Sequence, residues 1–296
     1  MARALRTVVD PGLLTVVVNV GDDTERYGVH VAADPDTVLH TLADDVGPHG
    51  WGRADDTFTI MDELDRHGLD TRFRLGDRDY GSCLARTTML AAGHSLSETL
   101  DVSRRSLGID GLAVLPASDD PVRTWLRAMG TSEWIPFQEY FVDRSHDVDV
   151  DAVEYRGAAS ASAAPGVIAA IDEAETLVIA PSNPPLSIWP ILAIDAIAEA
   201  VRRHPRTVAI SPLFGGRPVK GPADRVMAGL GLPPGTEGVI DAYTGLIRCL
   251  FVDTADRADR ALADATGIAI EAVDTLLTGP DGGRACADAV VSWGRR

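Results

Sequence analysis

The stretch Leu14-Thr15-Val16-Val17-Val18-Asn19-Val20, running into Gly21-Asp22-Asp23-Thr24, decides how the rest of the chain is read. It is β-branched nearly throughout and lacks strict alternation, which predicts a parallel strand covered on both faces. The acidic loop ends it. Arg3 and Arg6 precede it in the manner of a secretory leader, but the apolar run is short, contains Asn19, and meets no small-residue cleavage site. A strand of a cytoplasmic protein is the expectation.

Similar apolar runs fall at residues 112–115, 176–180 and 207–211, each followed by polar, Gly or Pro residues. Helical spacing occurs at 37–46, 186–203 and 223–230. Strand, polar loop and helix in repetition predict an α/β fold with a mostly parallel, Rossmann-like sheet and helices on both faces. Ligands of such sheets bind beyond the carboxyl ends of the strands. Residues 136–155 read instead as antiparallel strands joined by Asp143-Arg144-Ser145-His146, a small subdomain of about 123–157 inserted in a single domain spanning 1–296. Residues 158–165 are a small-residue connector.

Composition narrows the function classes. The chain has 296 residues, 45% hydrophobic and 24% charged, the make-up of a soluble, folded protein. Its net charge of −17 repels a phosphate backbone, which argues against nucleic-acid binding. Lys220 is the sole lysine. Cys83, Cys249 and Cys286 have no zinc-ligand spacing, so reduced, buried thiols are expected. No apolar run has the roughly 18–20 residues of a membrane span.

Five constellations offer chemistry. Gly21-Asp22-Asp23-Thr24 and Asp34-Pro35-Asp36-Thr37 present two acidic pairs, and one carboxylate from each suits Mg²⁺, which takes one or two carboxylates with waters and substrate phosphates. The plain alternative makes Asp34 or Asp36 a helix cap and Asp22-Asp23 a solvated turn. Arg74-Leu75-Gly76-Asp77-Arg78-Asp79 fits an anion or polar ring system, or a surface ion-pair cluster. Ser118-Asp119-Asp120-Pro121-Val122-Arg123-Thr124 reads as a structural turn, with a ligand role as its alternative because the loop leaves a strand end. Ser182-Asn183-Pro184-Pro185 before an apolar helix makes either an anion site at a helix start or simple capping. Gly215-Gly216-Arg217-Pro218-Val219-Lys220-Gly221 resembles a phosphate loop without matching the nucleoside-triphosphatase pattern, and a tight connector is its alternative. His30, His40 and His94 read as packing or surface residues. Trp51 and Trp189 read as core or pocket wall.

In order and wording, these segments resemble the 2-phospho-L-lactate transferase family of coenzyme F-420 biosynthesis, whose bacterial members transfer phosphoenolpyruvate. The matching blocks are VVVNVGDD (16–23), DPDTVLHTLA (34–43), GWG (50–52) with DDTF (55–58), RLGDRD (74–79), Arg86-Thr87, LPASDDPVRT (115–124), FQEYFV (137–142), APGV (164–167), APSNPPLSIWPILAI (180–194) and SPLFGGRPVKGPAD (211–224). The resemblance implies Mg²⁺-dependent transfer of a phosphoenolpyruvyl or 2-phospholactyl group from a guanosine diphosphate-linked donor to the deazaflavin Fo, with release of GMP. It implies that Asp22 and Asp36 hold the metal and that Asp36 and Arg74, with Asp77 and Arg78 beside them, bind the deazaflavin. Asp23 becomes the acceptor of the hydroxyl proton. Ser182, Asn183 and Pro184, with Gly215, Gly216, Lys220 and Gly221, become contacts of the donor. Asp36→Ala is then expected to abolish transfer and spare the fold. A homodimer is implied as well.

Two departures from the family pattern stand out. Its members begin with a short strand and a Gly-rich turn, whereas this sequence begins within the following helix, at Met1-Ala2-Arg3-Ala4-Leu5. A start assigned too far downstream accounts for this, or else the sheet has an unfilled place. Pro35 stands where leucine is usual and stiffens the loop. The competing reading is a non-catalytic nucleotide-binding regulator on the same scaffold.

Overall fold

The computed structural model describes residues 1–48, 50–257, 259–278 and 283–295, with Arg260 described by its backbone alone. Helix α1 (Ala2–Leu5) precedes β1 (Thr15–Val18), and a hairpin of β2 (Thr24–Arg26) and β3 (Val29–Val31) leads into α2 (Ala33–Leu42). Helices α3 (Thr59–Arg66), α4 (Asp77–Ala91) and α5 (Leu96–Ser106) come next. Strand β4 (Ala113–Pro116) then lies parallel to β1. Strands β5 (Arg123–Ala128), β6 (Trp134–Pro136) and β7 (Val150–Arg156) form an antiparallel sheet in the order β6-β5-β7. The second half runs through α6 (Val167–Glu173), β8 (Leu177–Ile179), α7 (Trp189–Leu192), α8 (Asp195–Arg203) and β9 (Thr207–Ile210). A small hairpin of β10 (Leu213–Phe214) and β11 (Arg217–Pro218) follows. The chain continues through α9 (Ala223–Gly229), α10 (Gly235–Ala242), β12 (Cys249–Asp253), α11 (Arg260–Thr266), β13 (Ala269–Val273) and α12 (Arg284–Gly294).

The architecture is mixed α/β, with one modification of the single-sheet expectation. The parallel strands lie in two sheets, β1-β4 and β13-β12-β9-β8. Every residue of β9 and β12 is buried, as continuous apolar runs covered on both faces require. The period of two sends Val208, Ile210, Cys249 and Phe251 against Cys286 and Val290 of α12. It sends Ala209, Leu250 and Val252 against Val239 and Ile240 of α10. Around the β1-β4 pair, Val18 and Val114 share a core with Leu39 and Leu42 of α2, Leu100 of α5 and Val201 of α8.

Two local readings need correction. Residues 137–146 do not form a strand; Glu139–Asp143 make a wide helical turn. Phe137, Tyr140 and Phe141 carry helical spacing, and the Phe137 and Phe141 rings stack with centroids 5.5 Å apart. Residues 186–203 are not one helix either. Pro184–Ile188 form a wide turn, α7 follows, and the backbone is extended at the buried Ile194 before α8 leaves at 95°. Asp195, in the first turn of α8, favours a fresh helix start there. Among the described residues no single helix is long and apolar enough to cross a membrane.

Candidate functional site

The site begins where β1 ends. Asn19 folds back on the turn, its Oδ1 accepting from Gly21 N–H at 2.7 Å. The antiparallel sheet clamps that turn from the other side. Thr124 N–H donates to the Gly21 carbonyl at 2.8 Å, and Gln138 Nε2 donates to the Asp22 carbonyl at 2.8 Å. A Cβ at Gly21 would lie 2.5 Å from Thr124 Oγ1 and 2.9 Å from Asn19 Oδ1, so only glycine admits this approach. Asp22 and Asp23 are 4% and 3% exposed, and the Oδ1 atom of each is enclosed with no hydrogen-bond partner among the described residues. Thr124 Oγ1 is in the same condition.

The start of α2 completes the acidic cluster, though not with the partner first expected. Asp34 Oδ2 accepts from Asn19 Nδ2 at 3.0 Å, and its charge reaches Asp22. Burial, and after it the Asp34 carboxylate, push Asp22 well above the usual carboxylate range, and burial raises Asp34 to about 6. Asp36, paired with Asp22 in the sequence reading, instead hydrogen-bonds the Arg86 guanidinium. Neither aspartate is the helix cap, since Ala32 holds that position and both lie in the first turn. Burial also raises Asp23, opposed by His30, whose Nε2 lies 3.1 Å from Asp23 Oδ2. His30 therefore belongs to the site.

A buried carboxylate oxygen without a donor is costly unless something charged or protic meets it. The Asp22–Asp34 pair suits a hard divalent cation whose remaining ligands are waters and phosphate oxygens. Among the described residues no three His, Cys, Asp or Glu side chains are grouped to hold a metal by themselves. The donor set therefore fits a magnesium ion shared with substrate better than a closed structural metal.

In the second constellation the residues divide. The Arg74 guanidinium is exposed, lies 4.9 Å from the centroid of the Phe58 ring and donates to Asp62 at 2.8 Å. Asp77, assigned to substrate by the sequence reading, caps α3 by accepting from Thr59 N–H at 3.0 Å, Ile60 N–H at 2.8 Å and Thr57 Oγ1 at 2.6 Å. These bonds hold its carboxyl near 2, and they occupy both oxygens. Arg78, assigned likewise, donates to the Ala54 carbonyl at 3.1 Å and to Asp45 at 3.1 Å, tying α4 to the preceding loop.

Ser118-Asp119-Asp120-Pro121 is a structural turn. Ser118 Oγ donates to Ser162 O, and Asp119 accepts from the Ser97 N–H and hydroxyl. The segment Ser182-Asn183-Pro184 follows the carboxyl end of β8 and is tied toward the acidic turn through Tyr155. That hydroxyl donates to Pro185 O at 2.6 Å, while Asp22 reinforces the effect of burial in pushing its pKa up. The helical piece after Asn183 has only five residues, which removes the helix-start argument for an anion there. Asn183 Oδ1 is nonetheless enclosed without a hydrogen-bond partner among the described residues. Gly215 and Gly216, at φ of 57° and 76°, are the two central residues of the β10-β11 hairpin, a turn that requires left-handed backbone at both. The tight-connector alternative therefore accounts for these glycines. Beside them a groove of about 320 Å³ is lined by Leu213, Arg217, Arg225, Met227, Pro233 and Gly235. Lys220 is exposed at the end of this loop.

Sequence reading missed Asn19, His30, Asp34 as the neighbour of Asp22 and Gln138, and took Thr124 only as the end of the Ser118–Thr124 loop. Gln138 and Thr124 serve through backbone contacts and an enclosed hydroxyl, and Asn19 through the Gly21 N–H and the Asp34 carboxylate, none of which leaves a spacing signature.

Comparison with known proteins gives the family and the fold. Residues 1–274 match the family model described as 2-phospho-L-lactate transferase CofD. A phosphoenolpyruvate transferase of Kitasatospora aureofaciens is 42% identical over 284 residues, covering 93% of this chain and 88% of that protein. A 2-phospho-L-lactate transferase of Methanosarcina acetivorans is 34% identical over 279 residues, covering 94% and 90%. A solved structure of a UPF0052 family member from Bacillus halodurans superposes with a TM-score of 0.65 at 16% identity, covering 98% of this chain and 96% of that one, and thus shares the fold. With the family model spanning nearly the whole sequence, this chain belongs to the CofD family of 2-phospho-L-lactate and phosphoenolpyruvate transferases.

Proposed function

We propose that this transferase moves a phosphoenolpyruvyl or 2-phospholactyl group from a guanosine diphosphate-linked donor to the primary ribityl hydroxyl of the deazaflavin Fo in coenzyme F-420 biosynthesis. The observation that carries the reading is the pair of buried, unpartnered carboxylate oxygens at the carboxyl end of β1 in a member of this family. The Fo oxygen forms a bond to the phosphorus bearing the three-carbon acid. The bond from that phosphorus to the GMP phosphate oxygen breaks, and GMP leaves with the electron pair. Such transfer needs charge neutralisation and in-line positioning more than covalent help.

In this reading Asp22, with Asp34 beside it, holds magnesium, which when bound neutralises phosphate oxygens. Asp36 retains a role at the shared edge of the metal and deazaflavin sites, and Arg74 takes the ring system on its exposed guanidinium. Asp23 accepts the hydroxyl proton, with His30 next to it. Ser182, Asn183 and Pro184 meet the donor, as do Lys220 and Gly221 at the loop beyond β9. Asn183 Oδ1 supports the first of these because it is polar, enclosed and unpartnered. The resemblance further implies a homodimer, which sedimentation of the purified chain measures.

The test is an assay with purified Fo and each candidate donor, with and without Mg²⁺, read by mass spectrometry. A Mg²⁺-dependent product of Fo plus GMP is expected. Nucleotide binding without any product would favour the regulator reading instead.

A further inference from the structure

Arg86 is the largest fully buried side chain among the described residues, and the Cys83 sulfur, 3.9 Å from Nη1, is too weak an acceptor to explain a guanidinium there. A charge this deep carries a desolvation cost of several kcal/mol, so its partners matter. Nη2 donates to Asp36 Oδ1, and Nη1 donates to the His30 carbonyl at 3.1 Å. The next residue completes a clamp, with Thr87 Oγ1 accepting from His30 N–H at 2.8 Å and donating to the Cys83 carbonyl at 2.8 Å. Both backbone groups of His30 are thus held by α4, and the imidazole is left beside Asp23. One planar fork therefore sets the direction of the Asp36 carboxylate and the position of β3 together. Lysine offers a point charge on a flexible stem and cannot reproduce two divergent bonds.

We propose that Arg86 is a positioning residue for acceptor binding, orienting the Asp36 carboxylate toward the deazaflavin while Thr87 secures His30 beside Asp23. This rests on the functional reading above, in which Asp36 meets the acceptor. Arg86 touches no reacting atom; it acts through Asp36.

The experiment is a double-mutant cycle on Fo affinity, read by Fo fluorescence, with GDP affinity and far-UV circular dichroism measured in parallel. Arg86→Lys is expected to keep the fold, weaken Fo binding about tenfold and leave GDP binding within about twofold. In an Asp36→Asn background the same change is expected to alter Fo affinity by less than about twofold, because the group it orients is already lost. Additive effects of the two substitutions, or an Arg86→Lys variant that binds Fo like wild type, would overturn the assignment. Should Arg86→Lys fail to fold, Arg86→Gln carries the same cycle, since its amide keeps hydrogen-bonding ability at that depth. If the wild-type chain itself binds no Fo, the functional reading falls and this assignment falls with it. If wild type binds and the cycle is additive, the Arg86 assignment alone falls.

Discussion

Asp36 illustrates how a side chain proposed for a site can also hold the core together. Asp36→Ala leaves the Arg86 guanidinium buried and unpaired, so it is expected to cost about 3–5 kcal/mol of stability in addition to activity, contrary to the fold-neutral expectation from sequence. Asp36→Asn keeps an acceptor and should lose far less, and urea denaturation of the two variants measures the difference. Asp79 lies nearby, its Oδ1 3.7 Å from His40 Nε2. Burial, then the charges of Asp36 and Asp56, raise it from 3.8 to about 6. The folded state then holds the proton more tightly than the unfolded chain, so this group's contribution to stability falls as pH climbs from about 4 to about 6 and stays lower above. Asp79→Asn is expected to flatten that fall and to add about 1–3 kcal/mol at pH 7, checked by thermal melts across pH 4 to 8. At Gly21, alanine meets Thr124 and Asn19 and is expected to destabilise by about 1–3 kcal/mol. At this scale the sequence announced Asp22, Asp23 and Asp36 because acidic pairs at a strand end are visible in one dimension. It named Arg86 but could not announce its burial, because a buried guanidinium reads like any arginine on an amphipathic helix.

Among the elements, β1, β4, β8 and β9 were legible from unbroken β-branched or aliphatic runs. Strands β12 and β13 escaped, although Cys249-Leu250-Phe251-Val252-Asp253 is buried throughout. Their carboxyl flanks lack the Gly or Pro that closes the others. The break between α7 and α8 was hidden for a related reason, since apolar residues continue across it and periodicity cannot register a change of axis. The turn at Pro184–Ile188 depends on that break and on the Tyr155 hydroxyl. Tyr155→Phe removes the bond to Pro185 O and is expected to cost about 1 kcal/mol. It should raise the KM for the donor several-fold with a smaller change in kcat, measured by steady-state assay at saturating Fo.

Over the whole molecule, burial is uneven among the parallel strands. All residues of β9 and β12 are buried, while Thr15 of β1 is exposed and Val16, Val17, Ala113 and Leu115 are only partly covered. Amides of β9 and β12 are therefore expected to exchange only on global opening, and those of β1 and β4 at lower opening energies, as hydrogen-exchange mass spectrometry resolves. Lys220 adds a practical corollary. With 26 arginines and this one lysine, amine-directed reagents have a single side-chain target. A fluorophore attached through that ε-amine would report from the segment between β11 and α9, with no cysteine engineering.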